Sequence, residues 1–140
     1  MKKIILLFVA ILAFSCSSDD KQTSSPDPIL GTWKPITQII LDRDTNQEQD
    51  RYEVCNQKTR LTYLASGTLS NIIAQGNNLS ECMIGSVPNV TWYKNGNSLS
   101  VTFPGVGEQI SNVTFSNNNN NMKEVAIDGN YTITTTYIRE

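Results

Sequence analysis

From residue 29 onward, apolar and polar residues alternate in short runs that are separated by turn-forming residues. Alternation with a period of two is typical of β-strands with one buried and one exposed face, and no segment shows the sustained 3.6-residue period of an amphipathic helix. The chain is therefore predicted to be all-β. Eight strands are expected, at residues 31–42, 59–65, 68–73, 89–93, 98–103, 109–115, 122–127 and 131–138.

Short turns between consecutive strands predict an antiparallel up-and-down (meander) arrangement. Asn95-Gly96 is the strongest hairpin signal, because both turn positions must accept a positive φ. Pro35 lies inside the first strand, and its missing N–H predicts an edge or a bulge there. Eight such strands can close into a barrel with room for one small ligand, and the long first and last strands can pair to close it. A two-sheet sandwich has the same alternation and stays an alternative.

The N-terminal residues have the layout of a secretory signal peptide. Lys2 and Lys3 precede an apolar run at residues 4–14, which is too short to span a bilayer, since spanning takes roughly 20 residues. The run ends at a cysteine, and residues 12–16 resemble a bacterial lipobox, in which the cysteine is acylated and becomes the new N-terminus. The resemblance implies a signal peptide at residues 1–15 and lipid attachment at Cys16.

The polar residues that follow Cys16 indicate where the protein is displayed. Residues 17–20, Ser-Ser-Asp-Asp, resemble the export signal of Bacteroidetes surface lipoproteins, in which acidic residues direct passage to the outer leaflet. This resemblance implies an outer-membrane lipoprotein at the cell surface, with the periplasmic face as the alternative. Residues 16–28 are rich in Ser, Asp, Thr and Pro and predict a lipidated flexible tether, which leaves residues 29–140 as the folded domain.

The charge balance excludes several classes of function. The 140 residues include 11 Lys and Arg, 13 Asp and Glu and no His, for a net charge of −2. A chain without His lacks the base of Ser-His-Asp and Cys-His relays and the commonest zinc ligand. Without a cluster of Lys and Arg, it also lacks the surface that binds phosphate backbones. We predict a protein that is not an enzyme, requires no cofactor or metal and binds no nucleic acid.

A group of acidic residues between positions 42 and 53 has the density of a calcium site. Arg43 and Arg51 interrupt the group, no glycine marks a tight loop, and the EF-hand spacing is absent. The paired carboxylates of a glycosidase need opposed placement across a cleft, which one local loop does not supply. The segment is therefore interpreted as a solvated polar loop. Its acidic residues are Asp42, Asp44, Glu48, Asp50 and Glu53.

If Cys16 carries lipid, Cys55 and Cys82 are the two remaining thiols in an oxidising compartment. We therefore expect them to form one structural disulfide. Their spacing is far from Cys-x-x-Cys, and neither has a basic residue beside it, which argues against a redox role.

Residues 29–33, Ile-Leu-Gly-Thr-Trp, precede a long strand and resemble the Gly-x-Trp signature of lipocalins. A first cysteine, a strand–Gly–strand hairpin, a second cysteine and a Trp-Tyr-Lys-Asn-Gly hairpin then follow in the order of the lipocalin-like domain of Bacteroidetes lipoproteins. This resemblance covers nearly all of the mature chain. It implies a barrel closed at one end by Gly31 and Trp33, with Arg139, at the end of the last strand, as the candidate for the family's arginine.

The same resemblance implies a monomeric protein that binds or carries a small hydrophobic ligand. The candidate cavity residues are those whose alternation points them inward, and they can equally fill the barrel as ordinary core. In that case the alternative function is a protein-interaction or inhibitor module, with residues 41–52 and 117–121 as the candidate loops. The cavity candidates are Tyr63, Trp92, Val101, Phe103, Ile133 and Tyr137.

Overall fold

The computed structural model describes residues 26–140. The predicted signal peptide, Cys16 and the first part of the predicted tether lie outside the described residues. Within residues 26–140 the protein is all-β and antiparallel, as predicted, and no helix there is long and apolar enough to cross a membrane. The strands are β1 Gly31–Asp42, β2 Gln47–Asp50, β3 Arg60–Tyr63, β4 Leu69–Gln75, β5 Met83–Gly85, β6 Thr91–Asn95, β7 Ser98–Phe103, β8 Gly107–Ser116, β9 Asn121–Asp128 and β10 Tyr131–Arg139, with a 3₁₀ helix at Val54–Lys58.

The strands form a sheet that curls into a half-barrel, in the order β5-β4-β3-β1-β10-β9-β8-β7-β6, with β2 paired to β1. The first and last long strands pair from Trp33 opposite Arg139 to Asp42 opposite Tyr131, as the sequence predicted. The order is that of a meander in which the first and last strands are neighbours. The two edge strands of the sheet are therefore β5 and β6.

Part of the space between these edges is bridged by hydrogen bonds. The Leu69 N–H at the start of β4 donates to the Val90 carbonyl just before β6, over 2.9 Å. Further along β4, the Asn71 side chain accepts from the Val87 N–H at 2.8 Å and donates to the Val87 carbonyl at 2.9 Å. Because Asn71 satisfies both backbone groups, the segment before β6 is fixed against β4. These bonds lie in the first part of β4, and the edge of the sheet beyond Asn71 stays open.

The prediction of eight strands differs from the structure in β2 and β5, which are additional. Every residue of both strands is exposed, so neither shows the alternation that identifies a half-buried strand. The interpretation of residues 42–53 as a loop is wrong for Gln47–Asp50, which pairs with the end of β1. The hairpin turn depends on Asp42, whose Oδ1 accepts from the N–H groups of Asp44 and Thr45 at 2.9 and 3.2 Å.

The register of β1 against β10 shifts between Pro35 and Thr37, which confirms the bulge that the sequence predicted at this proline. Pro35 also lies between the part of β1 that pairs with β3 and the part that pairs with β2. The proline ring therefore lies where the hydrogen-bonded pairing of β1 is already interrupted.

The hydrophobic core lies inside the curl of the sheet and is built from residues of almost every long strand. All of its members fall between positions 29 and 137, so we expect the chain from residue 17 onward to fold without the signal peptide. The core residues are Ile29, Trp33, Tyr63, Leu69, Val90, Leu99, Val101, Val113, Met122 and Tyr137.

Candidate functional site

Trp33, near the start of β1, is fully buried. Its indole Nε1–H donates to the Ile29 carbonyl over 2.7 Å, and its ring centroid lies 5.9 Å from that of Phe115. The guanidinium carbon of Arg139 lies 4.3 Å from the Trp33 ring centroid, in a cation–π arrangement. The ring is thus held on one face by a charge and at its edge by a hydrogen bond.

Arg139 also ties the segment before β1 to the turn between β8 and β9. Its guanidinium donates to the carbonyls of Pro28, Leu30 and Asn119 at 2.5, 2.6 and 3.0 Å. Gly31 has φ +122°, and a Cβ at this position would lie 2.7 Å from Arg139 Nη1. Both the backbone angle and the close approach therefore require glycine, so Gly31, Trp33 and Arg139 form one packed unit at the start of β1.

Two residues of the predicted tether contact the folded domain. Asp27 Oδ2 lies 2.9 Å from Lys94 Nζ, and the Pro28 carbonyl accepts from Arg139. The Asp27 side chain also accepts from the Ile29 N–H at 3.0 Å. The chain thus enters the domain beside Lys94 and Arg139.

Beside part of the hydrophobic core, the curled sheet encloses a half-open cavity of about 340 Å³. One part of its wall is apolar and aromatic, and another part carries hydrogen-bonding side chains. The apolar part includes Leu61, Tyr63, Leu69, Val101, Phe103 and Tyr137, and the polar part includes Gln38, Asn56, Asn71, Ser111, Glu124 and Thr135.

The structure brings four of the six predicted cavity residues together in this wall, namely Tyr63, Val101, Phe103 and Tyr137. The other two predicted residues, Trp92 and Ile133, lie outside the lining.

Trp92 packs against Tyr63 instead. Its ring meets Tyr63 edge-on, with centroids 5.5 Å apart and planes at 87°, and its Nε1–H donates to the carbonyls of Leu64 and Thr68 at 3.1 Å each. Trp92 therefore supports a cavity residue from behind.

Ile133 lies two residues from Thr135 along β10, where it pairs with Ile40 of β1 and Ala126 of β9. Thr135 and Ala126 line the cavity, whereas Ile40 lines an adjoining polar recess. Ile133 therefore lies next to the lined region without being part of it.

Sequence reasoning missed the polar group inside the cavity. Glu124 Oε2 accepts from the Tyr137 hydroxyl at 2.9 Å, and Oε1 accepts from the Ser111 hydroxyl at 2.7 Å. Next to Tyr137 on β10, Thr135 is buried and its Oγ1 accepts from Gln38 Nε2 at 3.4 Å. The signal was present in β9, because Glu124 stands two residues after the buried Met122 and thus on the same inward face.

The environment of the two cavity tyrosines keeps them neutral. Burial raises the pKa of Tyr63 and of Tyr137 well above the ordinary value for a phenol, and the nearby negative charge of Glu124 raises both pKa values further. Each phenol therefore stays protonated at neutral pH, and Tyr137 serves as a hydrogen-bond donor to the carboxylate.

The predicted disulfide between Cys55 and Cys82 is present, with the Cα atoms 5.6 Å apart. It joins the 3₁₀ helix to the segment before β5, and the Cys55 N–H donates to the Gly76 carbonyl at 3.1 Å. Asn56, the residue after Cys55, lines the cavity. The cross-link thus fixes one side of the cavity mouth.

An apolar wall with a few placed polar groups is the arrangement of a binding site for a small molecule. No group of three or more His, Cys, Asp or Glu residues that could hold a metal ion is found among residues 26–140. The acidic residues at positions 42–53 thus form no such group.

Comparison of the chain with protein-family models and with curated proteins found no match. The resemblance to lipocalin-like domains therefore stays a prediction from the sequence motifs.

Proposed function

We propose that this chain is a lipid-anchored lipoprotein of the cell envelope whose lipocalin-like barrel binds or carries a small hydrophobic molecule and performs no catalysis. The observation that carries the proposal is the half-open cavity of about 340 Å³. Ligand pockets span roughly 300–1,000 Å³ and combine apolar walls with a few polar groups. The wall from Leu61 to Tyr137 and the polar group around Glu124 have this composition.

Three structural features support the lipocalin-like assignment. The strands follow a meander order, the first and last long strands pair, and an arginine from the last strand stacks on the tryptophan of the Gly-x-Trp motif. Together with the sequence resemblance, they favour a barrel over a two-sheet sandwich. This barrel would be closed at the end of Gly31, Trp33 and Arg139 and open at the other end.

The proposed location follows from Cys16 and the acidic residues after it. An acylated Cys16 anchors the chain in the outer membrane, at the cell surface or, alternatively, on its periplasmic side. Asp27 and Pro28 contact the closed end, so the tether leaves the domain there. The tether then joins the domain away from the cavity, and we expect the protein to act as a monomer.

Ligand binding is tested by reducing the volume of the cavity with a substitution in β9. Ala126 lines the cavity, whereas Ile127, the next residue of β9, is 65% exposed on the outer face. Titration of residues 17–140 with the neutral dye Nile red is expected to show saturable binding. Ala126→Phe places a ring in the cavity and should weaken binding by about tenfold or more, equivalent to about 1.4 kcal/mol.

The matched control is Ile127→Phe, which adds an aromatic ring of the same size on the outer surface. This variant should bind the dye within about twofold of the parent chain, since a surface substitution leaves the cavity unchanged. Equal weakening by both variants, or no saturable uptake by the parent chain, contradicts the proposal.

A further inference from the structure

We propose that the ligand of this cavity carries a cationic polar group, such as an alkylammonium group, and that the cavity discriminates against carboxylates. This inference rests on the proposed function, because it names the chemical class of the molecule that the cavity binds. It is carried by the distribution of charge in the cavity wall.

Glu124 is the one charged side chain among the residues that line the cavity, and neither lysine nor arginine occurs there. Arg51 lines the polar recess that adjoins the cavity, and Glu53 lies in the same lining. A fatty-acid carboxylate would therefore enter without a cationic partner and beside a fixed negative charge, which is costly in a poorly hydrated site.

Glu124 has hydrogen-bonding capacity left for a ligand. Each of its oxygens accepts one hydrogen bond within the protein, from Ser111 or from Tyr137. An ionised carboxylate has about four acceptor positions, so each oxygen has room for an N–H donor from a ligand. A charge-assisted N–H···O bond of this kind is stronger than a bond between neutral groups.

The negative charge of Glu124 also affects the two tyrosines of the cavity wall. Burial raises the pKa of Tyr63 and Tyr137, and the charge of Glu124 raises both further, so the cavity resists a second negative charge at both phenols. A carboxylate ligand would meet the same repulsion, whereas an ammonium group would meet attraction.

The apolar wall accounts for the rest of the ligand. Leu61, Leu69, Val101 and Phe103 line the cavity together with Glu124. A hydrocarbon chain can bury its surface against this wall while its head group binds the carboxylate. The geometry points to a cationic amphiphile rather than a small inorganic cation.

The test compares three probes that share one alkyl chain and differ in head-group charge: decylamine, decanol and decanoate. Each is titrated by calorimetry into residues 17–140 at pH 7.4, at concentrations below micelle formation. Decylamine is expected to bind about tenfold or more tightly than decanoate, with decanol between them. Glu124→Gln should weaken decylamine binding by about tenfold, leave decanol unchanged and remove the penalty on decanoate.

Glu108→Gln is the matched control, because Glu108 is an exposed glutamate on β8 that also accepts from a serine, Ser100. It should leave all three affinities unchanged. If Glu124→Gln fails to fold by circular dichroism, Gln109→Lys takes its place. Gln109 is an exposed residue of the cavity lining, and a lysine there should narrow the preference for decylamine over decanoate.

The outcomes separate the two proposals. If none of the three probes binds the parent chain, the proposed function fails. If all three bind equally, or decanoate binds most tightly, the cavity is a ligand site and the charge preference is wrong. A preference for decylamine that is unchanged in Glu124→Gln, or in Gln109→Lys where that variant replaces it, also overturns the assignment to Glu124.

Discussion

Replacing Trp33 by Ala is expected to lower the free energy of unfolding by about 3–5 kcal/mol, the usual cost of truncating a buried tryptophan. Trp33 is fully buried, donates to Ile29 at 2.7 Å and stacks under Arg139 at 4.3 Å. Truncation opens a cavity in the core, leaves the Ile29 carbonyl without its indole partner and removes the ring beneath the guanidinium. Because small domains are stable by roughly 5–15 kcal/mol, the loss is a large part of the total.

The measurement is urea unfolding followed by far-ultraviolet circular dichroism, which does not depend on the fluorescence of the replaced tryptophan. Tyr93→Ala is the control, because Tyr93 is an aromatic strand residue that is 68% exposed, and it should change the free energy of unfolding by no more than about 0.5 kcal/mol. A loss below about 1 kcal/mol for Trp33→Ala would show that the packed unit of Trp33 and Arg139 does not stabilise the fold.

Loss of the Cys55–Cys82 disulfide is expected to lower the free energy of unfolding by about 3–4 kcal/mol, since the cross-link closes a loop with a sequence separation of 27 residues. The double variant Cys55→Ala/Cys82→Ala avoids a hydroxyl at position 55, which is fully buried. The effect should also be local. β5 is a three-residue exposed strand that pairs only with the end of β4 among the described strands, so it depends on the cross-link next to it.

Urea unfolding gives the global loss, and amide hydrogen exchange gives the local one. Residues 83–85 should lose protection first in the double variant, before the pairing of β1 with β10 is affected. Reduced parent protein should reproduce the result without any substitution. A decrease of less than about 1 kcal/mol in both samples would contradict a stabilising role.

The long strands could be predicted from the sequence because their signals are local. Alternation marks one buried face, and residues that accept a positive φ mark the turns, as Gly96 at φ 58° and Gly129 at φ 54° do. The asparagine run has the same explanation, since Asn117, Asn118 and Asn119 all have positive φ in the turn between β8 and β9. Where such signals exist, the predicted and observed strands overlap.

β2 and β5 could not be predicted, because neither strand buries a face. β2 forms because Asp42 caps a turn that returns the chain onto β1, and β5 forms where the disulfide and the end of β4 hold it. Such strands depend on tertiary pairing, which a period in the sequence does not encode.

The cavity could be predicted only in part, for a different reason. Tyr63, Val101, Phe103 and Tyr137 were found because inward apolar residues are expected in a barrel. Glu124 has the same inward position in β9, but its charge resembles that of a solvent-facing residue unless the register is known. Its hydroxyl partners come from β8 and β10, so the polar group exists only after the strands are paired.

Ligand binding by the cavity is tested most directly by native mass spectrometry of residues 17–140, purified without detergent. The molecules that organic solvent extracts from the same sample are analysed alongside. The parent protein is expected to carry one small hydrophobic molecule per chain and Ala126→Phe to lose it, with the disulfide intact in both. A parent protein of bare mass that also takes up no Nile red would contradict the claim that the cavity is a ligand site.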